Sequence, residues 1–138
     1  MNPAAQPSAR PQPFTRGRPS PLRLENRTRG TIVAHEVRLA VTPWARGLGL
    51  MGHPGLAPGQ ALILQPESSI HMFFMRCPLD VLFLGPDDQV LFLYAGLRPW
   101  RISRIVRGSQ RVVELPVGSL AASATQQGDQ VVLRPPAS

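Results

Sequence analysis

The side chains able to do chemistry gather in one stretch, IHMFFMRCPLDVLFL over residues 70–84, with an outlier at Glu114 in VVELP. An extended strand entering a bend at Cys77-Pro78 would place His71, Phe73, Met75 and Cys77 on one face and Met72, Phe74 and Arg76 on the other. Imidazole, thioether and thiol on one face suggest a soft-metal donor set. The spacing opposes it, because at strand rise His71 and Cys77 lie roughly 20 Å apart and His71 and Met75 roughly 13 Å. No metal and no cofactor is therefore expected. Cys77 is the lone cysteine, so it cannot close an internal disulfide. With Pro78 behind it and no electropositive helix terminus indicated beneath, it reads as packing rather than a nucleophile.

Asp80 and Glu114 are more informative, because each carboxylate interrupts a strongly apolar strand where an unpaired charge is costly. Each must point outward, pair with a cation, or carry a raised pKa. One outcome is a buried ion pair that sets strand register. The other is a polar pocket formed by His71, Met75, Asp80, Glu114, Arg46, Arg76 and Arg98. Two carboxylates and a histidine suit general acid–base work, so a small hydrolase or metal-dependent enzyme using His71 and Asp80 is one reading. No recognised catalytic motif accompanies them. His35 falls on a period-two apolar stripe with Val33, Val37, Leu39 and Val41, which reads as a core histidine outside the site.

Charge supplies a second reading. Basic residues outnumber acidic ones 15 to 8, for a net +7, and every basic residue is arginine. Such a field favours nucleic acid, anionic lipid or acidic protein partners. GLRPWRISRIVRGSQR carries Arg98, Arg101, Arg104, Arg107 and Arg111, but Pro99, Gly108 and the β-branched Ile102, Ile105 and Val106 oppose a helix. An extended segment and loop is expected there. Trp100 could stack a base, so Arg98, Trp100, Arg101, Arg104 and Arg107 form a candidate surface for RNA or single-stranded DNA. GLGLMG lacks the Lys-Ser/Thr ending of a phosphate loop.

The elements that must position these groups fit one domain in 138 residues. Residues 1–21 hold six of the sixteen prolines and few large apolar side chains, and read as a disordered Pro/Arg-rich tail. A single β-rich domain is expected over 22–134, followed by a tail at 135–138. Within it, LRLEN and TIVAHEVRLAV pair as a hairpin across TRG. Thr42-Pro43 opens a short helix with Trp44, Leu48 and Met51 facing inward. ALIL, VLFL, VLFLY, VVELP and QVVLR are strands, VLFL and VLFLY central ones joined through a GPDD turn. Ser119 caps a short helix that Gly128 ends. No window is long enough to span a membrane and no signal peptide is read, so a cytoplasmic protein, monomer or weak dimer, is expected.

RGLGLM (46–51), IHMFFMRCPLDVLFL (70–84), GLRPW (96–100), VVELPVG (112–118) and Gly128-Asp129 occur in an order and spacing that resemble the bacterial and archaeal domain-of-unknown-function family 192, also called uncharacterised protein family 0127. The resemblance runs from about Thr31 to Leu133. It implies a compact, mostly β fold and carries no established activity. Relatives often pair Trp or His with Met near the positions of His71 and Met75, and this chain has the His/Met form. It departs at Cys77, where Phe or Thr is usual, so no family-wide thiol role follows. Export is implied for many relatives, whereas no leader is read here. Taken together, the expected fold is mainly β (α+β), a small barrel-like sheet of about six to eight strands with one or two short helices. The leading function is a binding module for a peptide, protein or small anionic ligand at an open mouth or sheet edge.

Overall fold

A computed structural model describes residues 18–20, 22–40, 56–72 and 75–135. The helix expected after Thr42, with Arg46, lies outside the described residues, as do residues 1–17 of the expected tail. Two sheets form. The larger has six strands in the order β1 (Arg18–Ser20), β4 (Glu36–Ala40), β5 (Gln60–Leu64), β8 (Arg111–Pro116), β6 (Leu79–Leu84) and β7 (Val90–Leu97). The smaller has three, with β2 (Arg23–Asn26) between β3 (Thr31–Ala34) and β9 (Val131–Arg134). Among the described residues one short helix, α1 (Ser119–Ala122), follows β8.

The mainly β architecture agrees with the sequence reading, but the sheet is not a barrel. It stays open, with β1 at one edge and β7 at the other, and the second sheet packs on one face instead of closing the first. That face buries Leu24 and Val131 of the small sheet and Leu120 of α1 against Val37, Ile63, Leu82 and Leu115. The opposite face carries Leu62, Leu79, Val81, Phe83 and Val112, covered by Ile70, Met72, Met75 and Val106 from two non-repetitive segments. Strands β5 and β6 are consequently buried along their whole length, which explains their unbroken apolar sequences.

Four local expectations change. Arg18–Ser20 pairs antiparallel with β4, so these three residues of the stretch assigned to a disordered tail form a strand. An open strand edge offers backbone donors and acceptors whatever the composition of the segment that meets it. The stripe from Val33 to Val41 is not one strand: the chain bends at His35, leaving β3 in the small sheet and β4 in the large one, with His35 exposed. VLFLY is an edge strand rather than a central one, half-buried along most of its length. The second helix is a single turn, ending at Ser123 well before Gly128.

The GPDD turn behaves as its residues dictate. The Asp88 amide donates to Gly85 O at 3.0 Å, and Asp88 takes a left-handed φ of 66° that returns the chain into β7.

A buried polar junction ties the small sheet to the loop before β9. Asp129 accepts from Asn26 Nδ2 (3.0 Å), Arg29 Nε (3.0 Å), Arg29 Nη2 (3.1 Å) and the Gln126 amide (2.9 Å). The Arg29 hydrogen bond, helped by Asn26, outweighs burial and holds this carboxyl down at about 2. A depressed folded-state pKa gives stability that is present above the unfolded value and lost as pH falls through about 2. Asp129→Ala is expected to lower stability at pH 7 by roughly 2–3 kcal/mol, since it strands several donors at once. Urea unfolding at pH 7, 4 and 2 should show the difference from wild type shrinking toward the lowest pH.

Candidate functional site

The two acids singled out from the sequence are both buried, yet they do not meet. Asp80 lies opposite Leu115 and Glu114 lies opposite Val81, and directly opposed residues share a sheet face. Leu115 belongs to the layer under the small sheet and Val81 to the layer under the covering segments. The large sheet therefore stands between the carboxylates.

Asp80 is 2% exposed and works as a backbone clamp. Its Oδ1 accepts from the Gly96 amide at 2.9 Å, and its Oδ2 from Gly118 at 3.1 Å and Leu120 at 3.0 Å. The Gly96 contact exists because β7 carries an extra residue opposite Asp80, between the pairs Leu79–Leu97 and Val81–Tyr94. The other two amides belong to the start of α1, where Gly118 takes a left-handed φ of 101°. One carboxylate thus joins β6, β7 and α1. The ion pair anticipated for it is replaced by three amide donors, which satisfy a buried carboxylate equally well.

Glu114, 4% exposed, has the opposite character. Its Oε1 is buried with no hydrogen-bond partner among the described residues. Burial alone pushes its carboxyl up to about 8, so the group is largely neutral at pH 7. It shares a cross-strand row with Leu62 and Arg38, the latter two strands away on β4. Among the described residues no cation pairs with it, and the expected ion pair is not seen there.

The remaining nominated residues scatter. Met75 is core, packed in the same layer as Val81. Arg76 and Cys77 lie in a bend, exposed and half-buried respectively, so no continuous strand runs from His71 to Cys77. Arg98 is exposed. His71 forms an isolated antiparallel bridge with Ile102. Its neighbours Ile70 and Met72 are buried, so alternation turns His71 to the same outer side as Ile102. His71, Asp80 and Glu114 therefore build no common polar pocket, and the described residues include no cluster of three or more His, Cys, Asp or Glu able to hold a metal.

That bridge leads to the feature that sequence reasoning saw only in part. Residues 98–107 run alongside 68–72 and are pinned at intervals. Trp100 and Ser103 donate their amides to Met72 O (2.7 Å) and Ile70 O (2.8 Å), and Val106 donates to Ser68 O (2.9 Å). The Arg104 amide donates to the Tyr94 hydroxyl (3.0 Å), and its guanidinium lies 4.8 Å from the centre of the Phe92 ring. Ser103 and Val106 point inward and are buried. What remains faces out: Trp100 at 57%, Ile102 at 65% and Ile105 at 72% exposure, interleaved with exposed Arg98, Arg101, Arg104 and Arg107. Trp100 is held at a left-handed φ of 68°, a conformation a bulky residue adopts only when its surroundings impose it. Ile102 and Ile105 entered the sequence reading only as objections to a helix. Their exposure follows from which neighbours the pinned backbone turns inward, and no periodicity announces that.

Two concavities are lined by described residues. One, of about 390 Å³, lies between β3, the chain near Pro58 and the start of α1, with His35, Val117 and Ser119 among its lining residues. The other, of about 590 Å³, is shallow and lined by Gln65, Pro66, Ser109, Gln110 and Arg111. Arg111 there is held by Asp88 at 2.6 Å.

The geometry defines a small, open two-sheet β domain with a rigid cationic and apolar strip along one side. Residues 24–133 match the model of the DUF192 family, described as "Uncharacterized ACR", and the chain belongs to that family. It is 35% identical over 112 residues to a UPF0127 protein of Thermococcus sibiricus, covering 78% of this chain and 72% of that protein. A UPF0127 protein of Pyrococcus furiosus is 34% identical over 112 residues, covering 77% of this chain and 93% of its own. Among solved structures, a candidate transcription regulator from Sinorhizobium meliloti 1021 superposes with a TM-score of 0.67 at 26% identity, covering 81% of this chain and 91% of its own. A protein of unknown function from Novosphingobium aromaticivorans shares the fold, with a TM-score of 0.72 at 22% identity over 96% of this chain and 93% of that one. No helix among the described residues is long and apolar enough to cross a membrane.

Two substitutions check these assignments. Asp80→Asn turns one acceptor into a donor facing backbone N–H groups, and is expected to cost roughly 2–3 kcal/mol. Hydrogen exchange should accelerate at the Gly96, Gly118 and Leu120 amides. For Glu114 the folded pKa lies above the unfolded one, so its contribution is fully present below about 4.5 and is lost as pH rises through about 8. Glu114→Gln removes that titration. Its stability relative to wild type should climb by a few kcal/mol between pH 5 and 9, at about 1.4 kcal/mol per unit of pKa offset. Urea titrations at pH 5, 7 and 9 measure it, and a flat difference overturns the neutral acid.

Proposed function

We propose that this domain is a non-catalytic binding module, and that the strip from Arg98 to Arg107 receives an acidic peptide, protein segment or small anionic ligand. The supporting observation is the outward set of Trp100, Ile102 and Ile105 between four exposed arginines, on a backbone whose inward needs Ser103 and Val106 already meet. Large apolar side chains left out in this way, on a rigid frame, are typical of a surface that a partner covers. Preorganisation matters because little ordering entropy is then lost on binding. The arginines add long-range attraction and bidentate pairing with carboxylates. Asp80, meanwhile, has its carboxylate occupied by the three amides that hold α1 and β7, which weighs against its use as a general acid or base with His71.

A second reading is RNA or single-stranded DNA, favoured by Trp100, more than half exposed beside arginines, and by the likeness to the Sinorhizobium structure described as a candidate transcription regulator. It ranks lower because isoleucines offer no stacking plane, and Trp100 is the only aromatic at the strip so exposed.

The test uses a fluorescein-labelled twelve-residue peptide alternating Glu and Val, alongside a twelve-nucleotide oligo(dT) and its RNA counterpart. Expected is peptide binding that weakens at least tenfold in Arg101→Ala/Arg107→Ala and with rising salt, while thermal stability stays close to wild type. Ile105→Ser should also weaken binding, although it touches no core. Binding of either oligonucleotide tenfold more tightly than the peptide, with loss in Trp100→Ala, replaces this reading with the second. Equal binding by wild type and the arginine variant removes the strip from both.

A further inference from the structure

We propose that the partner of this strip binds as an added β-strand: an extended acidic peptide whose main chain hydrogen-bonds to the outer edge at Ile102. This rests on the binding reading above and specifies its geometry. The bonds around the His71–Ile102 bridge decide which way the backbone faces. Met72 donates its amide to Arg101 O at 2.7 Å, and Ser103 donates its amide to Ile70 O at 2.8 Å. These two bonds flank the bridge, so His71 and Ile102 form an antiparallel pair without mutual hydrogen bonds. In such a pair each residue's own N–H and C=O point away from the partner strand. Those of Ile102 therefore face the open side, on a residue 65% exposed.

The edge is short and rigid. The Ile70 amide donates to Ser103 Oγ at 2.9 Å, Ser103 Oγ donates to Arg104 O at 2.9 Å, and Arg104 is tied to Tyr94. A free strand edge invites pairing, and charge along it decides with what. A second copy of this chain would bring the same arginines to the contact, so self-pairing is opposed by repulsion. Nucleic acid carries phosphates but no peptide main chain to complete the ladder. A peptide with acidic side chains matches both the backbone and the guanidinium groups, and its apolar residues meet the Ile102 and Ile105 side chains. Main-chain bonds then give affinity while side chains select the sequence.

The experiment uses the full chain and the Glu/Val peptide of the previous test, beside the same peptide N-methylated at alternate residues, which keeps charge and apolarity but removes donors from one edge. Two N-methylated versions, one for each edge, cover both registers. Expected is that one version binds at least tenfold more weakly than the parent. Ile102→Pro, which removes the outward donor on the protein side, should show a comparable loss with an unchanged folded-state spectrum. If that variant fails to fold, the N-methylated peptides on wild type decide alone. Both N-methylated versions binding like the parent overturns strand addition while leaving the acidic-partner reading in place. No binding by any of the peptides overturns both. An oligonucleotide that competes with the parent peptide and binds tenfold more tightly also overturns it.

Discussion

Coverage of the large sheet on both faces is the constraint from which the rest follows. β5, β8 and β6 lie side by side at its centre, and β5 and β6 have no solvent-facing side chain at all. Any polar group on these strands must be satisfied where it stands or lose its charge. Asp80 and Glu114 are the two acids caught in this position, and they show the two outcomes. Asp80, on the side of the small sheet, finds amides released by a bulge and by a helix start. Glu114, on the other side, finds none for Oε1 among the described residues, and burial favours its neutral form.

The same constraint produces the candidate site. One face of the large sheet is closed by a regular sheet and a helical turn; on the other, the described covering residues belong to segments without repeating structure. Covering a sheet with such segments means fastening their backbones to one another, and the bonds between 68–72 and 100–106 do this. Fastening fixes side-chain direction in turn: Ile70, Met72, Ser103 and Val106 go to the core, so Ile102, Ile105 and the arginines go to water. The strip is thus the outer surface of the layer that buries Glu114's side of the sheet. Its rigidity and its exposed apolar tips have a common origin, which is why a binding role fits the strip better than the separated acids fit a shared catalytic one.

Charge has unequal consequences across the molecule. Arg29 is spent on Asp129 and Arg111 on Asp88, both in local structural contacts. Arg104 is steadied over Phe92. Arg101 and Arg107 lie exposed on the strip with none of these attachments. Net charge alone could not separate these uses, since it counts every arginine alike.

Much of the architecture was written in local chemistry. Apolar runs too uniform for a one-sided sheet required strands covered twice, the GPDD turn required a hairpin, and Pro99, Gly108 and the β-branched residues kept the arginine segment from becoming a helix. The residues that carry the family resemblance are likewise local in the chain. Long-range pairing decided the rest: that the sheet remains open, that the chain bends at His35 to enter a second sheet, and that VLFLY lies at an edge. It also decided that Asp80 and Glu114, each conspicuous in sequence, sit on opposite faces. A strand's alternation tells which of its own residues share a face, but register between strands fixes which faces coincide, and register is set by contacts far apart in the chain. For the same reason Ile102 and Ile105 became recognisable as surface residues only once their neighbours had been fastened inward.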